Sequence, residues 1–131
     1  MDNLSNFLSS LKNIGTAGKY EITVNHSNLV ENVAIVLKER GFLESVEVSD
    51  NPKIKNAKTI KAKISSIEGA PAISEVKRIS KSGVRVYTGY KSIKKVLGGR
   101  GVSIISTTKG VMTGEDAYRQ RLGGEILCEI Y

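Results

Sequence analysis

Leu4, Phe7, Leu8, Leu11 and Ile14 recur at the three- and four-residue intervals of an amphipathic helix, with Asp2 or Asn3 placed to cap it and Gly15 to stop it. Alternation of apolar and polar residues from Tyr20 to Val24 predicts a short strand. A second helix is expected from Asn28 to Arg40, because Asn28 and Glu31 have capping-box spacing and Gly41 stands just past the C-cap. Alternation returns from Phe42 to Val48, and Asp50-Asn51-Pro52 makes a turn. Thr59 to Ile67 then sets Ile60, Ala62 and Ile64 on one face against Lys61, Lys63 and Ser65 on the other. The order in residues 1–68 is α-β-α-β-β.

Gly69-Ala70-Pro71 interrupts the pattern. Beyond it, strands are predicted from Ile73 to Ile79 and from Val84 to Tyr87, separated by Lys81-Ser82-Gly83. Lys91 to Leu97 has the character of a short basic helix ended by Gly98-Gly99, and Val102 to Ser106 that of a strand leading into the polar loop Thr107-Thr108-Lys109-Gly110. Thr113 can cap a last helix whose first turn carries Glu115 and Asp116, favourable at the positive end of the helix dipole. Gly123-Gly124 would end that helix, and Glu125 to Tyr131 closes the chain as a strand. Partial segregation of helices and strands argues an α+β fold of two small domains, residues 1–68 mixed and residues 69–131 mostly β with short helices.

The composition fits such a fold: 131 residues, 40% hydrophobic and 25% charged, are values of a soluble globular chain. The longest apolar run, Val33 to Leu37, is far short of the roughly 20 residues that a membrane-spanning helix needs. Asp2 stands where a signal peptide would carry bases, the single Cys128 has no disulfide partner within the chain, and the single His26 cannot found a His-rich metal site. A reducing, cytoplasmic setting is expected, with no membrane partner.

Charge is distributed unevenly. The net charge is +7, yet residues 1–68 hold 9 basic and 8 acidic side chains while residues 69–131 hold 11 basic and 5 acidic, a balance of +6. A polyanion, nucleic acid first, is the partner this excess favours, and the second half is the surface to meet it. The plainer alternative is that the bases only keep the protein soluble.

No catalytic constellation emerges. His26 and Cys128 share no local signature, so a small basic enzyme using either is the weaker alternative, and Cys128 between Leu127 and Glu129 reads as a buried filler. Gly98-Gly99-Arg100-Gly101 follows a predicted helix rather than a strand and lacks the Gly-Lys-Ser/Thr ending of a phosphate loop. No catalytic residue, metal or cofactor is expected. The run Ser106-Thr107-Thr108-Lys109-Gly110 is different: short hydroxyls, an ammonium and a glycine suit the shallow minor groove of duplex RNA, with its 2′-hydroxyls and phosphates.

Taken together, these residues resemble the bacterial-type small-subunit ribosomal protein eight family. The signature comprises Gly101, Ser106-Thr107-Thr108-Lys109-Gly110-Val111-Met112-Thr113, Ala117 and the closing Gly123-Gly124-Glu125-Ile126-Leu127-Cys128. The opening helix matches through Asp2, Leu4, Ser5, Asn6, Leu8, Leu11, Lys12 and Asn13, and the middle through Leu37-Lys38-Glu39-Arg40-Gly41-Phe42 and Lys77-Arg78-Ile79-Ser80. Thr108 stands where serine is commoner in the family, Ser82 where proline is frequent, Gly114 where aspartate is, and Tyr118 where arginine is.

The resemblance implies a structural, non-catalytic protein that binds the central domain of small-subunit ribosomal RNA beside neighbouring small-subunit proteins, in a bacterial or organellar ribosome. Ser106, Thr107, Thr108, Lys109 and Gly110 would enter the RNA minor groove at an irregular helix. Gly123, Gly124 and Glu125 would lie beside them, with Tyr87 near the same surface. Glu125 would accept hydrogen bonds from base amino groups or 2′-hydroxyls, or else serve as a strand residue paired to Lys109 or Arg85. Lys12, Asn13 and Lys55 match positions that reach a second RNA segment. The family also admits feedback binding to its own operon messenger, and the free protein is expected to be a monomer.

Overall fold

A computed structural model describes residues 3–17 and 20–131, apart from the side chains of residues 14–17 and 97. Asp2 and the side chain of Ile14, both assigned to the first helix above, lie outside that description. Contacts divide the chain into one unit ending at Ser74 and another spanning Glu75–Tyr131.

In the N-terminal unit, helix α1 (Asn3–Ala17) continues through Gly15 rather than stopping there; a single glycine weakens a helix by only about 1 kcal/mol relative to alanine. Strand β1 (Glu21–Asn25) follows, then helix α2 (Asn28–Glu39). The cap of α2 is Ser27, not Asn28: its hydroxyl accepts the Val30 N–H at 3.2 Å, an interaction typically worth about 1 kcal/mol. Glu31, one residue too far along for a capping box with Ser27, instead meets His26 Nε2 at 2.7 Å. At the other end Gly41 adopts φ +86°, and the bonds Gly41 N–H to Lys38 O and Phe42 N–H to Leu37 O form a Schellman motif.

Strands β2 (Leu43–Asp50) and β3 (Lys58–Ile64) complete an antiparallel sheet ordered β1-β3-β2. The register pairs Ile22, Ala62 and Val46 in one row and Val24, Ile60 and Val48 in the next. This face meets Leu4, Phe7, Leu8 and Leu11 of α1 and Val30, Val33, Ala34 and Leu37 of α2 in the core, while Lys61 and Lys63 stay exposed as their alternation requires. The strand expected to run to Ile67 ends at Ile64. Ser66–Ile67 (β4) and Ala70–Pro71 (β5) instead form a small hairpin that reverses at Glu68 and Gly69, both with positive φ.

The C-terminal unit is built on β10 (Gly124–Ile130), which pairs antiparallel with β6 (Val76–Arg78), β7 (Tyr87–Thr88) and β8 (Val102–Thr107). Strand β9 (Gly110–Thr113), absent from the sequence expectation, pairs with β8 and makes that segment a hairpin. The predicted basic helix from Lys91 to Leu97 does not form. Two 3-10 turns, Tyr90–Ser92 and Val96–Gly99, replace it, the second ending on Gly98 and Gly99 at φ +64° and +100°. So short a segment has little helix stability of its own. Helix α3 (Gly114–Arg119) is capped by Thr113, whose hydroxyl accepts the Asp116 N–H at 3.2 Å, with Glu115 and Asp116 in its first turn. It stops before Gly123, where Arg121 takes φ +58°. A side chain at Gly114 would strike Ser103 Oγ and approach Ile93 Cγ2 to 3.0 Å, so those side chains would have to shift to admit an aspartate there.

Candidate nucleic-acid interface

One end of the C-terminal sheet gathers most of the candidate RNA-binding residues. Cross-strand pairing sets Tyr87, Glu125, Ser106 and Val111 side by side across β7, β10, β8 and β9, and residues opposite one another share a face. Tyr87 is 70% exposed, and Ser106 is half-buried with its hydroxyl bonded to no other described residue. Because a side chain at Gly114 would meet Ser103 and Ile105, α3 covers the Ser103–Ile105 face of β8, and strand alternation turns Ser106 to the opposite face.

The next rung leads into the turn. Thr107 pairs with Gly110, leaving Thr108 and Lys109 at the tip. Neither tip residue has a positive φ; the reversal is completed by Gly110 at φ +114°, a conformation that a side chain would strain. The Thr107 hydroxyl works inside the turn, accepting the Lys109 N–H at 3.1 Å and donating to Gly110 O at 2.8 Å. Thr107 therefore shapes the loop, whereas Thr108 and Lys109 are exposed and enter no side-chain hydrogen bond or ion pair with the described residues. A hydroxyl and an ammonium are presented outward on a fixed backbone.

Glu125 is held by a network that sequence spacing does not reveal. Its Oε2 accepts from the hydroxyl of fully buried Ser80 and, at 3.1 Å, from Arg85. The same Ser80 oxygen accepts the Val86 N–H at 3.2 Å, and Arg78 Nε donates to the Ser80 carbonyl. Of the two pairings considered for Glu125, Arg85 is the one formed. The carboxylate is thereby fixed and its charge offset, while Oε1 takes no hydrogen bond from a described residue and the side chain stays 19% exposed. Ser80 and Arg85 lie 45 and 40 residues from Glu125, separations with no local pattern to betray them.

Gly123 and Gly124 have a packing reason to be glycine. A Cβ on Gly123 would lie 2.5 Å from Thr88 O, and one on Gly124 would overlap the Ser106 carbonyl, 2.9 Å from its carbon. Both glycines let neighbouring strands close beside the Glu125 row.

In the N-terminal unit, Lys12 and Asn13 are exposed on α1. Asn13 lines a groove of about 460 Å³ with Asn6, Ser9 and Ser10 of α1 and Thr23, Val24, Asn25 and Thr59 of the sheet. The helical spacing of Asn6, Ser9, Ser10 and Asn13 was a legible sign of this polar face. Lys55 is exposed in the 51–57 loop, which joins β2 to β3 at the sheet end bearing Asn25 and Thr59.

Cys128, one of the two residues of the catalytic alternative, is buried. Burial pushes the Cys128 thiol from 9.0 up to about 12, only partly opposed by the Arg78 guanidinium, so no thiolate forms at neutral pH. His26 is partly buried against Glu31. Among the described residues, no group of three or more His, Cys, Asp or Glu is placed to hold a metal, and no helix is long and apolar enough to cross a membrane. Cys128 gives two measurable consequences. A thiol reagent at pH 8 should modify it only as fast as the chain opens. Because the buried thiol stays neutral where the unfolded one ionises, its contribution to stability is fully present below about pH 9 and should be lost progressively toward pH 12. Rapid native-state labelling in an alkylation time course would contradict this burial.

Comparison with known proteins agrees over nearly the whole chain. The sequence profile of the family described as ribosomal protein S8 matches residues 2–131. The chain is 38% identical over 130 residues to small ribosomal subunit protein uS8 of Nitratidesulfovibrio vulgaris (strain DP4), covering 99% of this chain and 98% of that protein. It is 37% identical over 130 residues to small ribosomal subunit protein uS8c of Mesostigma viride, with the same coverage. With uS8 of Ruthia magnifica subsp. Calyptogena magnifica it shares 38% over 130 residues, 99% of this chain and 97% of the relative.

Proposed function

The chain belongs to the ribosomal protein S8 family, structural and non-enzymatic proteins of the small ribosomal subunit, and on that premise we propose that its C-terminal unit grips the central domain of small-subunit ribosomal RNA through the β8–β9 turn and the adjoining Glu125 row. The observation that carries this reading is the row of exposed Tyr87 and half-buried Glu125 and Ser106, running into the outward hydroxyl and ammonium of Thr108 and Lys109.

Each group has a role set by its chemistry. Lys109 meets phosphate and fixes the register of the turn, a contact that carries no sequence information. Ser106 and Thr108 are short enough to reach 2′-hydroxyls and base edges in a shallow minor groove. Glu125 Oε1 accepts from a 2′-hydroxyl or a base amino group. A carboxylate near a polyanion is tolerable here because Arg85 already offsets its charge. The Tyr87 ring offers a stacking surface to a base or sugar displaced from a regular helix, which favours an irregular RNA over a uniform duplex. Gly110, Gly123 and Gly124 act on the same site by fixing backbone shape. Lys12, Asn13 and Lys55 give the N-terminal unit a secondary contact with another RNA segment. By holding one RNA geometry, the protein would promote subunit assembly without chemistry of its own.

With about five phosphate contacts, the logarithm of affinity for a central-domain RNA fragment should fall with the logarithm of salt concentration at a slope of about −4. Filter-binding titrations across a salt series measure it directly. A slope near zero would overturn the electrostatic basis of the reading.

A further inference from the structure

Helix α3 and the 3-10 turn at Tyr90–Ser92 meet on the side of the C-terminal sheet turned away from the Glu125 row. A side chain added at Gly114 would approach Ile93 Cγ2 to 3.0 Å and Ile105 Cδ1 to 3.6 Å, which puts Ile93 and the start of α3 on the Ser103–Ile105 face of β8. Ser106, the partner of Glu125 in the register, turns to the other face.

Two tyrosines pack together at this junction. The Tyr90 and Tyr118 rings lie 6.2 Å apart, centre to centre, at 61°, an edge-type pair in which neither ring covers both faces of the other. Tyr118 is 57% exposed. Lys91 Nζ stands 6.0 Å from the centre of the Tyr90 ring. Farther along, Ile93 is half-buried and Val96 buried, and between them Lys94 and Lys95 are exposed and enter no ion pair among the described residues. Residues 89–101 hold four cations and no carboxylate. α3 adds Glu115 and Asp116, but Arg119 meets them at 3.3 and 3.2 Å. The two segments together carry five cations against two acids, so the lysines are not offset locally.

We propose that the Tyr90–Tyr118 pair and its lysines bind an unpaired stretch of small-subunit ribosomal RNA, separate from the segment gripped by the Glu125 row. A base stacks on the open face of Tyr118, and Lys91, Lys94 and Lys95 hold the neighbouring phosphates. Stacking selects unpaired nucleotides, because a paired base keeps its faces inside the helix. The lysines alone would suit an acidic peptide equally. The open aromatic face among them favours a nucleotide, whose base and phosphate match both groups.

This inference rests on the functional reading above, so the test reads the two separately. Small subunits are assembled with full-length wild type, with Lys94→Glu/Lys95→Glu, or with Tyr118→p-benzoylphenylalanine, and incorporation is quantified. Irradiation should crosslink position 118 to one unpaired stretch of the subunit RNA. The double variant, at unchanged incorporation, should make that stretch at least threefold more reactive to 2′-hydroxyl acylation. A crosslink to base-paired RNA, to another protein or to nothing, or unchanged acylation, overturns the inference alone. Should one variant be excluded from subunits, the other decides. Failure of the wild type to incorporate overturns the functional reading and the inference with it.

Discussion

Gly124→Ala is expected to destabilise the C-terminal unit by about 3 kcal/mol, the upper end of the cost of forcing atoms into a packed site. The added methyl group would fall on the Ser106 carbonyl, and within 3.2 Å of Ile105 Cγ2. Neither neighbour can yield cheaply, because Ser106 is a backbone group of β8, which pairs with β10 on one side and β9 on the other. For a unit of this size the loss corresponds to a fall in melting temperature of more than about 12 °C. Thermal unfolding followed by circular dichroism checks it. The result separates two roles for this glycine. If Gly124 served only to admit RNA, the variant would melt within a few degrees of wild type and lose RNA affinity alone; a cost below about 1 kcal/mol would contradict the packing role.

The fold was legible wherever a local pattern is imposed by local physics. Ile60, Ala62 and Ile64 alternate because one face of a central strand is covered by helices and the other is wet, and that pattern alone placed β3. Gly41 was readable because a Schellman ending needs a residue at ease with positive φ. What escaped depends on partners distant in sequence. Gly110–Thr113 is too short for its alternation to stand out, and becomes a strand only because β8 lies beside it. The stretch from Lys91 to Leu97 carries lysines that favour helix, but packing shaped it as separate 3-10 turns.

The candidate site divides in the same way. The hydroxyl-rich turn announced itself as composition, and the structure then separated its two threonines: Thr107 is spent on the turn and Thr108 faces outward. Ser80 could not have been found, since a serine after Ile79 gives no sign that it will be fully buried and bridge Val86 to Glu125. Cys128 was readable as filler because the strand around it is apolar, and burial has made it so.

Lys109→Glu is expected to lower affinity for the central-domain RNA about 100-fold. Losing a charge-assisted contact to phosphate removes about 1.5–3 kcal/mol, and the new carboxylate adds repulsion; 100-fold corresponds to about 2.8 kcal/mol. Stability should barely change, because Lys109 is exposed at a turn tip and enters no ion pair among the described residues. As a phosphate contact, Lys109 should matter equally for any RNA. Thr108→Val isolates the other half of the site: it keeps the shape of the tip and removes only an outward hydroxyl, so it should act on discrimination rather than on general binding.

The most direct measurement is therefore a gel-shift competition at one salt concentration, with wild type, Lys109→Glu and Thr108→Val each offered a central-domain fragment and a regular RNA duplex. Lys109→Glu should weaken both complexes alike, and Thr108→Val should lower the preference for the fragment about tenfold while leaving the duplex affinity unchanged. If both variants hold the fragment as tightly and as selectively as wild type, the RNA does not sit on this turn.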